Sequence, residues 1–235
     1  GHVYTVLLGE NPPMKREFHT LLMKLPALTL IVSGGHTELV LMKKFGRYEI
    51  IGETRDDAAG EAFDKVARML GLGYPGGPII SKLADNVKQP GKLNVKLPRP
   101  MLNSQDFDFS FSGLKTAVLY LLRDLRKKHS LQELRSPISY EFQNAVCDVL
   151  VAKTIRAAKK YNVKSVIIGG GVAANKKLRE SLAKSARKDL PHATLHLPHS
   201  KFTGDNALMI ALAGYFSKKK KAWRDIHADA NLRLS

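Results

Sequence analysis

The fold class is decided by the stretch SVIIGGGVAAN, residues 165–175. The residues from Ser165 to Ile168 predict a short buried strand, and three glycines follow them at once. A helical pattern then begins at Asn175. A strand that runs through a glycine turn into a helix favours a nucleotide-binding turn, because glycine lets a phosphate approach the N–H groups of the helix N-terminus.

The same alternation of strands and helices extends outward from this stretch over the rest of the chain. Three meandering strands around the turn Ser33-Gly34-Gly35 are followed by an amphipathic helix, which is one half of a three-strand-plus-helix repeat. Strands are predicted at 28–32, 38–43, 48–53, 165–168 and 194–197, and helices at 58–70, 79–84, 113–127, 139–161, 175–188 and 205–219. This order predicts an α/β fold.

The composition points to a polyanionic partner and away from the membrane. The formal net charge is +17 and the pI is about 9.9, which favours contact with nucleic acid, mainly through phosphates. No apolar run approaches the roughly 20 residues that a membrane helix needs, and residues 1–10 do not resemble a signal peptide. The single cysteine, Cys147, cannot form an internal disulfide, so a reducing compartment is expected.

The glycine turns and acidic residues each admit a structural and a functional interpretation. The turn Ser33-Gly34-Gly35 could bind phosphate or be a plain hairpin with a glycine pair. Asp56 and Asp57 suit the positive end of the helix that follows them, whereas Asp64 lies further inside and could accept hydrogen bonds from ribose hydroxyls. Asp205 could cap the last helix.

Six motifs, taken together, resemble one known family. They are VSGGHT at 32–37, DDAAGEAFDK at 56–65, YPGGP at 74–78, DFSFSGLKT at 108–116, GGVAAN at 170–175 and DNA at 205–207. The chain resembles the tRNA N6-adenosine threonylcarbamoyltransferase family, called TsaD in bacteria and formerly described as O-sialoglycoprotein endopeptidases. The resemblance implies the two-lobed actin/Hsp70-like ATPase (ASKHA) fold, with the second lobe largely complete and the first lobe mostly missing.

The resemblance also implies a reaction and its ligands. The family transfers a threonylcarbamoyl group from threonylcarbamoyl-AMP to N6 of adenosine 37 in tRNAs that read ANN codons. Matched by motif, the residues that would hold this adenylate, or an ATP-like nucleotide, are Ile31, Val32, Ser33, Gly34, Gly35, Asp64, Gly77 and Asn175. One divalent metal ion, iron or zinc, would bind His2 and Asp205. No residue is assigned as a catalytic base.

The implied partners are tRNA and the subunits with which the family works. In bacteria these are a paralogous scaffold subunit and a small ATPase, and a homodimer is the alternative; no membrane is involved. The implied location is the cytoplasm, or the mitochondrial matrix. By this comparison 1–26 is the end of the N-terminal lobe and a linker, 27–203 the C-terminal nucleotide-binding lobe, and 204–235 a closing helix and basic tail.

Three other functions are compatible with parts of the pattern. A catalytically weak scaffold paralogue would share the fold, but it tends to lack the nucleotide residues that this chain retains. A sugar or small-molecule kinase of the same superfamily would not explain the charge of +17. A metalloprotease needs a glutamate base beside its metal ligands, as in H-E-x-x-H, and the sequence has no such pair.

Overall fold

The computed structural model describes residues 23–87, 93, 95–216 and 224. Within these residues the strands are β1 (Ala27–Val32), β2 (Thr37–Lys44), β3 (Arg47–Glu53), β4 (Ser165–Gly169) and β5 (Thr194–His196). The α-helices are α1 (Ala59–Met69), α2 (Gly76–Asp85), α3 (Ser112–Leu125), α4 (Leu131–Lys160), α5 (Lys176–Asp189) and α6 (Ala207–Phe216). The predicted α/β fold is confirmed.

All five strands form one mixed sheet in the order β3-β2-β1-β4-β5. β1, β2 and β3 are an antiparallel meander, while β4 pairs parallel to β1 and β5 parallel to β4. A meander continued by parallel strands confirms the half of the actin/Hsp70-like fold that was predicted. In the parallel pair Ile31 lies opposite Gly169, so the glycine turns that follow β1 and β4 emerge side by side.

The core lies between the sheet and the helices that cover one of its faces. Leu28, Leu30 and Val32 of β1 belong to the same buried cluster as residues of α1, α3, α4 and α5. At its centre the rings of Phe63 and Phe142 meet edge to face, with centroids 5.1 Å apart. Full burial of each such side chain contributes about 1.5–3 kcal/mol, so the core holds α1 and α4 firmly against the sheet.

Two helices begin earlier than the sequence predicted. α4 begins at Leu131 instead of Ser139, because Ser130 and Glu133 form a capping box there, and the helix includes Pro137. α2 begins at Gly76 instead of Ile79, because the side chain of Asp64 accepts a hydrogen bond from its N–H group. The earlier start of α4 depends on residues adjacent in sequence, whereas that of α2 depends on a contact with α1.

The segment before α3 is fixed by two cations of α4. Lys153 has no exposed surface, and its Nζ donates to Ser104 Oγ at 2.8 Å. Arg156 donates to the carbonyl oxygen of Leu102 at 3.1 Å. Burial lowers the pKa of Lys153, an effect only partly offset by Asp106. Among the described residues, no helix is long and apolar enough to cross a membrane.

Candidate nucleotide-binding site

A cavity of about 720 Å³ lies at the edge of the sheet where β1 and β4 end. Its walls come from the turn after β1, from α1, from the turn and helix at 74–86, and from residues 171–175. In open α/β sheets, ligands bind at the carboxyl ends of the strands, where glycine turns and helix N-termini meet. The position and size of the cavity therefore suit a nucleotide.

The turn after β1 is shaped by the side chain of Ser33. Ser33 Oγ accepts hydrogen bonds from the N–H groups of Gly35 at 3.3 Å and His36 at 3.0 Å. Its own N–H donates to the carbonyl oxygen of His36 at 2.8 Å. The turn is thus a hairpin between β1 and β2, as one interpretation of the sequence had it, and it also brings Gly34 to the cavity wall.

The N-terminus of α1 is attached directly to this turn. Gly60 N–H donates to the carbonyl oxygen of Ser33 at 3.0 Å, and Ala59 N–H donates to Thr37 Oγ1 at 2.9 Å. A Cβ atom on Gly60 would lie 2.6 Å from the Ser33 oxygen and 2.8 Å from Gly34 Cα. Glycine at position 60 is therefore what allows the helix and the turn to share one wall of the cavity.

Asp64 connects α1 to the N-terminus of α2. Its Oδ1 accepts a hydrogen bond from Gly76 N–H at 2.7 Å, and within the described residues Oδ2 forms no hydrogen bond. Gly77 follows in the first helical turn, whose N–H groups have no partner inside the helix. A Cβ atom on Gly77 would meet nothing within 4 Å. The carboxylate and this open helix end thus face one space, where they could hold a hydroxyl and a phosphate.

The opposite wall is formed by the turn after β4. Gly170 has a φ of +91°, and a Cβ atom there would lie 2.4 Å from the carbonyl oxygen of Val32. Asn175 Oδ1 caps α5 by accepting from Leu178 N–H at 3.0 Å, while its Nδ2 donates to Gln143 Oε1 at 2.8 Å. The same Nδ2 lies 3.5 Å from Ser81 Oγ. Asn175, which lines the cavity, thus joins α2, α4 and α5.

Of the eight residues predicted to hold the nucleotide, half line this cavity: Gly34, Asp64, Gly77 and Asn175. The other four are nearby in the chain but do not line it: Ile31 and Val32 are buried in β1, and Ser33 and Gly35 belong to the turn. Sequence reasoning missed Ser81, Lys82 and Asp85 of α2, which also line it. Their helical spacing from Gly77 was the signal that could have found them.

Asp56 and Asp57 do not cap α1, although the sequence suggested that they would. Asp56 accepts hydrogen bonds from the N–H groups of Phe111 at 2.8 Å and Ser112 at 3.2 Å, so it caps α3. Burial raises the pKa of Asp56, but the hydrogen bonds from Ser110, Phe111 and Ser112 outweigh it and bring the pKa below its ordinary value. Asp57 forms ion pairs with Lys65 at 2.7 Å and Lys115 at 3.5 Å.

Cys147 is part of the packed core beside the cavity. Burial raises the pKa of its thiol to about 12, and Asp148 adds to the effect. Its Sγ lies 4.0 Å from Asn175 Oδ1. A thiol with this pKa stays protonated near neutral pH, as is typical of a buried cysteine that packs in a core.

The predicted metal ligands are only partly within the described residues. His2 lies outside them, and Asp205 lies in the segment between the short helix Ser200–Phe202 and α6. The cap of α6 comes from Asn206, whose Oδ1 accepts from Met209 N–H at 2.9 Å. Among the described residues, no three His, Cys, Asp or Glu side chains come close enough to hold a metal ion. These residues alone do not form a metal site, and we assign no step of a reaction to a metal.

Comparison with known protein families decides the relationship of the chain. The model of the family "TsaD: tRNA N6-adenosine threonylcarbamoyltransferase" matches residues 14–212. The chain belongs to the TsaD family. A relative from Listeria monocytogenes serotype 4b (strain CLIP80459) is 51% identical over 213 residues, which are 90% of this chain and 60% of the relative. One from Bacillus subtilis (strain 168) is 48% identical over the whole chain and 64% of its own length.

Both relatives are named tRNA N6-adenosine threonylcarbamoyltransferase, and the chain spans about 60% of the length of such curated TsaD relatives. Two solved structures show a much lower similarity to the chain. HypF from T. kodakarensis is 17% identical with a TM-score of 0.47, over 68% of this chain and 20% of HypF. A ROK family glucokinase from Streptomyces griseus is 13% identical with a TM-score of 0.36, over 74% of this chain and 56% of the glucokinase.

Proposed function

We propose that the chain is the nucleotide-binding part of an enzyme that transfers a threonylcarbamoyl group from threonylcarbamoyl-AMP to N6 of adenosine 37 in tRNAs that read ANN codons. The observation that carries the proposal is the meeting of Gly34, Asp64, Gly77 and Asn175 in one cavity of a TsaD family member. A scaffold without activity has no need for these four positions together. The names of the relatives also favour the transferase.

The cavity suits the adenylate half of the donor. We assign Asp64 Oδ2 to a ribose hydroxyl, because Oδ1 is already held by Gly76 N–H. The exposed backbone at Gly34 and the first turn of α2 at Gly77 would face the phosphate. N–H groups and helix dipoles there favour the negative charge that the phosphate gains as the reaction proceeds.

The reaction that such a site supports is an acyl transfer. The N6 amine of the tRNA adenosine attacks the carbamoyl carbon, the bond from this carbon to the phosphate oxygen breaks, and AMP leaves while N6 loses a proton. The described residues contribute by holding the AMP portion in place. Their N–H groups are already positioned to stabilise the negative charge that develops on its phosphate as AMP departs. We assign the proton to no residue.

The finer parts of the family pattern belong to the same proposal. His2 and Asp205 would be two ligands of one divalent metal ion, iron or zinc. The partners would be tRNA together with a paralogous scaffold subunit and a small ATPase, or a second copy of the chain, in the cytoplasm or the mitochondrial matrix. The name of the relatives specifies tRNA as their substrate, and the net charge of +17 favours tRNA binding by this chain.

The test is formation of the modified nucleoside. The chain is incubated with threonylcarbamoyl-AMP, an unmodified tRNA that reads an ANN codon, metal and partner subunits, and the digested tRNA is analysed by mass spectrometry. The Bacillus subtilis relative serves as the positive control. Threonylcarbamoyladenosine at position 37 supports the proposal. If the chain binds neither the adenylate nor AMP while the relative makes product, the assigned cavity is wrong.

A further inference from the structure

α3 exposes an aromatic side chain among cations. Leu119 is 50% exposed and Tyr120 is 54% exposed, although large hydrophobic side chains are usually covered. The guanidinium carbon of Arg123 lies 5.1 Å from the centre of the Tyr120 ring. This cation–π contact holds both side chains in place at the surface.

The exposed cations continue past the end of α3. Arg126, Lys127 and Lys128 are all exposed in the turn that follows the helix. Asp124 is the carboxylate that pairs with this group, at 3.1 Å from Lys127 Nζ and 3.8 Å from Arg123 Nε. We call Tyr120, Arg123, Arg126, Lys127 and Lys128 the α3 basic face. Four cations against one carboxylate leave it strongly positive.

The start of α3 is linked to the wall of the nucleotide cavity through Asp56. α3 begins at Ser112, where Asp56 caps it, and Asp56 lies only four positions before Gly60 of the cavity wall. From its first residue the helix extends for 14 residues, or about 21 Å. The α3 basic face begins at Tyr120, eight residues or about 12 Å along the helix from this start, a distance that a bound tRNA can span.

We propose that the α3 basic face binds RNA, namely the backbone and an unpaired base of the tRNA that the proposed function requires. Cations attract the phosphates, and an exposed ring beside an arginine is the surface on which unpaired RNA bases stack. α5 offers a contrasting surface. Lys184, Arg187 and Lys188 also lie together there, but beside Glu180 and without an aromatic ring. The aromatic ring is what favours the face on α3.

The test compares two variants that lose the same charge. The pair Arg123→Gln/Lys127→Gln changes the α3 basic face, and Lys184→Gln/Arg187→Gln changes α5. Binding of an unmodified tRNA transcript to each full chain is measured by fluorescence anisotropy at several salt concentrations. We expect the α3 pair to weaken binding about 10-fold or more and to flatten the salt dependence by one to two phosphate contacts. The α5 pair should change affinity less than about threefold.

Variants of Tyr120 distinguish the contribution of base stacking to tRNA binding from that of charge. Tyr120→Ala should weaken tRNA binding about fivefold or more, whereas Tyr120→Phe, which keeps the ring, should bind like the unchanged chain. AMP binding, measured in parallel, should be the same in every variant and shows that each one folds.

Three results would overturn the proposal. The α3 and α5 pairs could weaken tRNA binding equally, or the α3 pair could leave tRNA binding unchanged. The third such result is an α3 variant that no longer binds a partner subunit but still binds tRNA. A chain that binds tRNA through the α3 basic face but forms no modified nucleoside would instead support the face and contradict the proposed function.

Discussion

At the scale of single residues, Asp64 has a structural and a binding role that substitution can separate. Its Oδ1 accepts from Gly76 N–H at 2.7 Å, and we assign Oδ2 to the ribose. Asp64→Asn keeps an oxygen for Gly76 but places an amide in the cavity. We expect unfolding free energy to change by less than about 0.5 kcal/mol, because asparagine caps helices nearly as well as aspartate. AMP affinity should fall about 10-fold.

Asp64→Ala removes both oxygens and is the comparison. It should cost about 1 kcal/mol of stability, the usual loss of a helix cap, and should weaken AMP binding at least as much as Asp64→Asn. Thermal unfolding gives the first quantity and titration calorimetry the second. If Asp64→Asn binds AMP as well as the unchanged chain, the ribose contact is wrong and Asp64 is structural only.

At the scale of the elements, the contact between α1 and the turn after β1 leaves no room for a side chain at Gly60. A Cβ atom there would lie 2.6 Å from the Ser33 carbonyl oxygen, which is backbone and cannot rotate away. We expect Gly60→Ala to cost about 1–3 kcal/mol of stability, as overpacking does. The displaced turn should also weaken AMP binding.

Gly113→Ala is the matched control for Gly60→Ala. Gly113 is also near the start of a helix, α3, but a Cβ atom there would meet nothing within 4 Å. Because alanine favours helix, this change should be neutral or stabilising by up to about 1 kcal/mol. The unfolding free energies of the two variants are compared by chemical unfolding, and their AMP affinities are measured as well. Equal losses of stability would show that the space around Gly60 does not matter.

The elements also show how far the sequence could predict this site. The glycine turns after β1 and β4 were predicted because strand, glycine and helix are adjacent in sequence. The caps of α1 and α3 were not, because Thr37 and Asp56 reach them from distant parts of the chain. Ser81 of α2 was missed for a related reason: its place in the cavity depends on contacts between α2, α4 and α5 around Asn175.

At the scale of the whole molecule, acid stability should depend on carboxylates that the fold keeps ionised. The pKa of Asp56 lies below its ordinary value of 3.8, since hydrogen bonds from 110–112 outweigh burial. Asp106, Glu133 and Asp189 also have lowered pKa values. A lowered pKa in the folded state contributes stability that is full above the unfolded pKa and is lost as pH falls through the folded value.

Asp56→Ala tests this dependence. The difference in unfolding free energy between the unchanged chain and the variant should be largest near pH 7 and should shrink as the pH falls below about 4. Urea unfolding between pH 7 and pH 3 measures it. A difference that stays constant over this range would mean that packing around Asp56, and not its charge, stabilises the start of α3.

The proposed metal ligands also concern the whole molecule, because His2 and Asp205 come from opposite ends of the chain. A bound metal would therefore hold distant parts together, and its affinity would depend on the fold. We expect Asp205→Ala to lose most of about one iron or zinc ion per chain, since a carboxylate contributes one of only a few ligands. Metal content is measured by mass spectrometry on the purified chain.

Asn206→Ala provides the control for Asp205→Ala at the neighbouring position. It removes the cap that Asn206 Oδ1 gives to Met209 N–H and should cost about 1 kcal/mol of stability. If Asp205 binds the metal directly, Asn206→Ala keeps the metal although it is less stable. Equal metal loss in both variants would mean that the start of α6 matters only as a folded element. Unchanged metal in Asp205→Ala would remove Asp205 from the set of ligands.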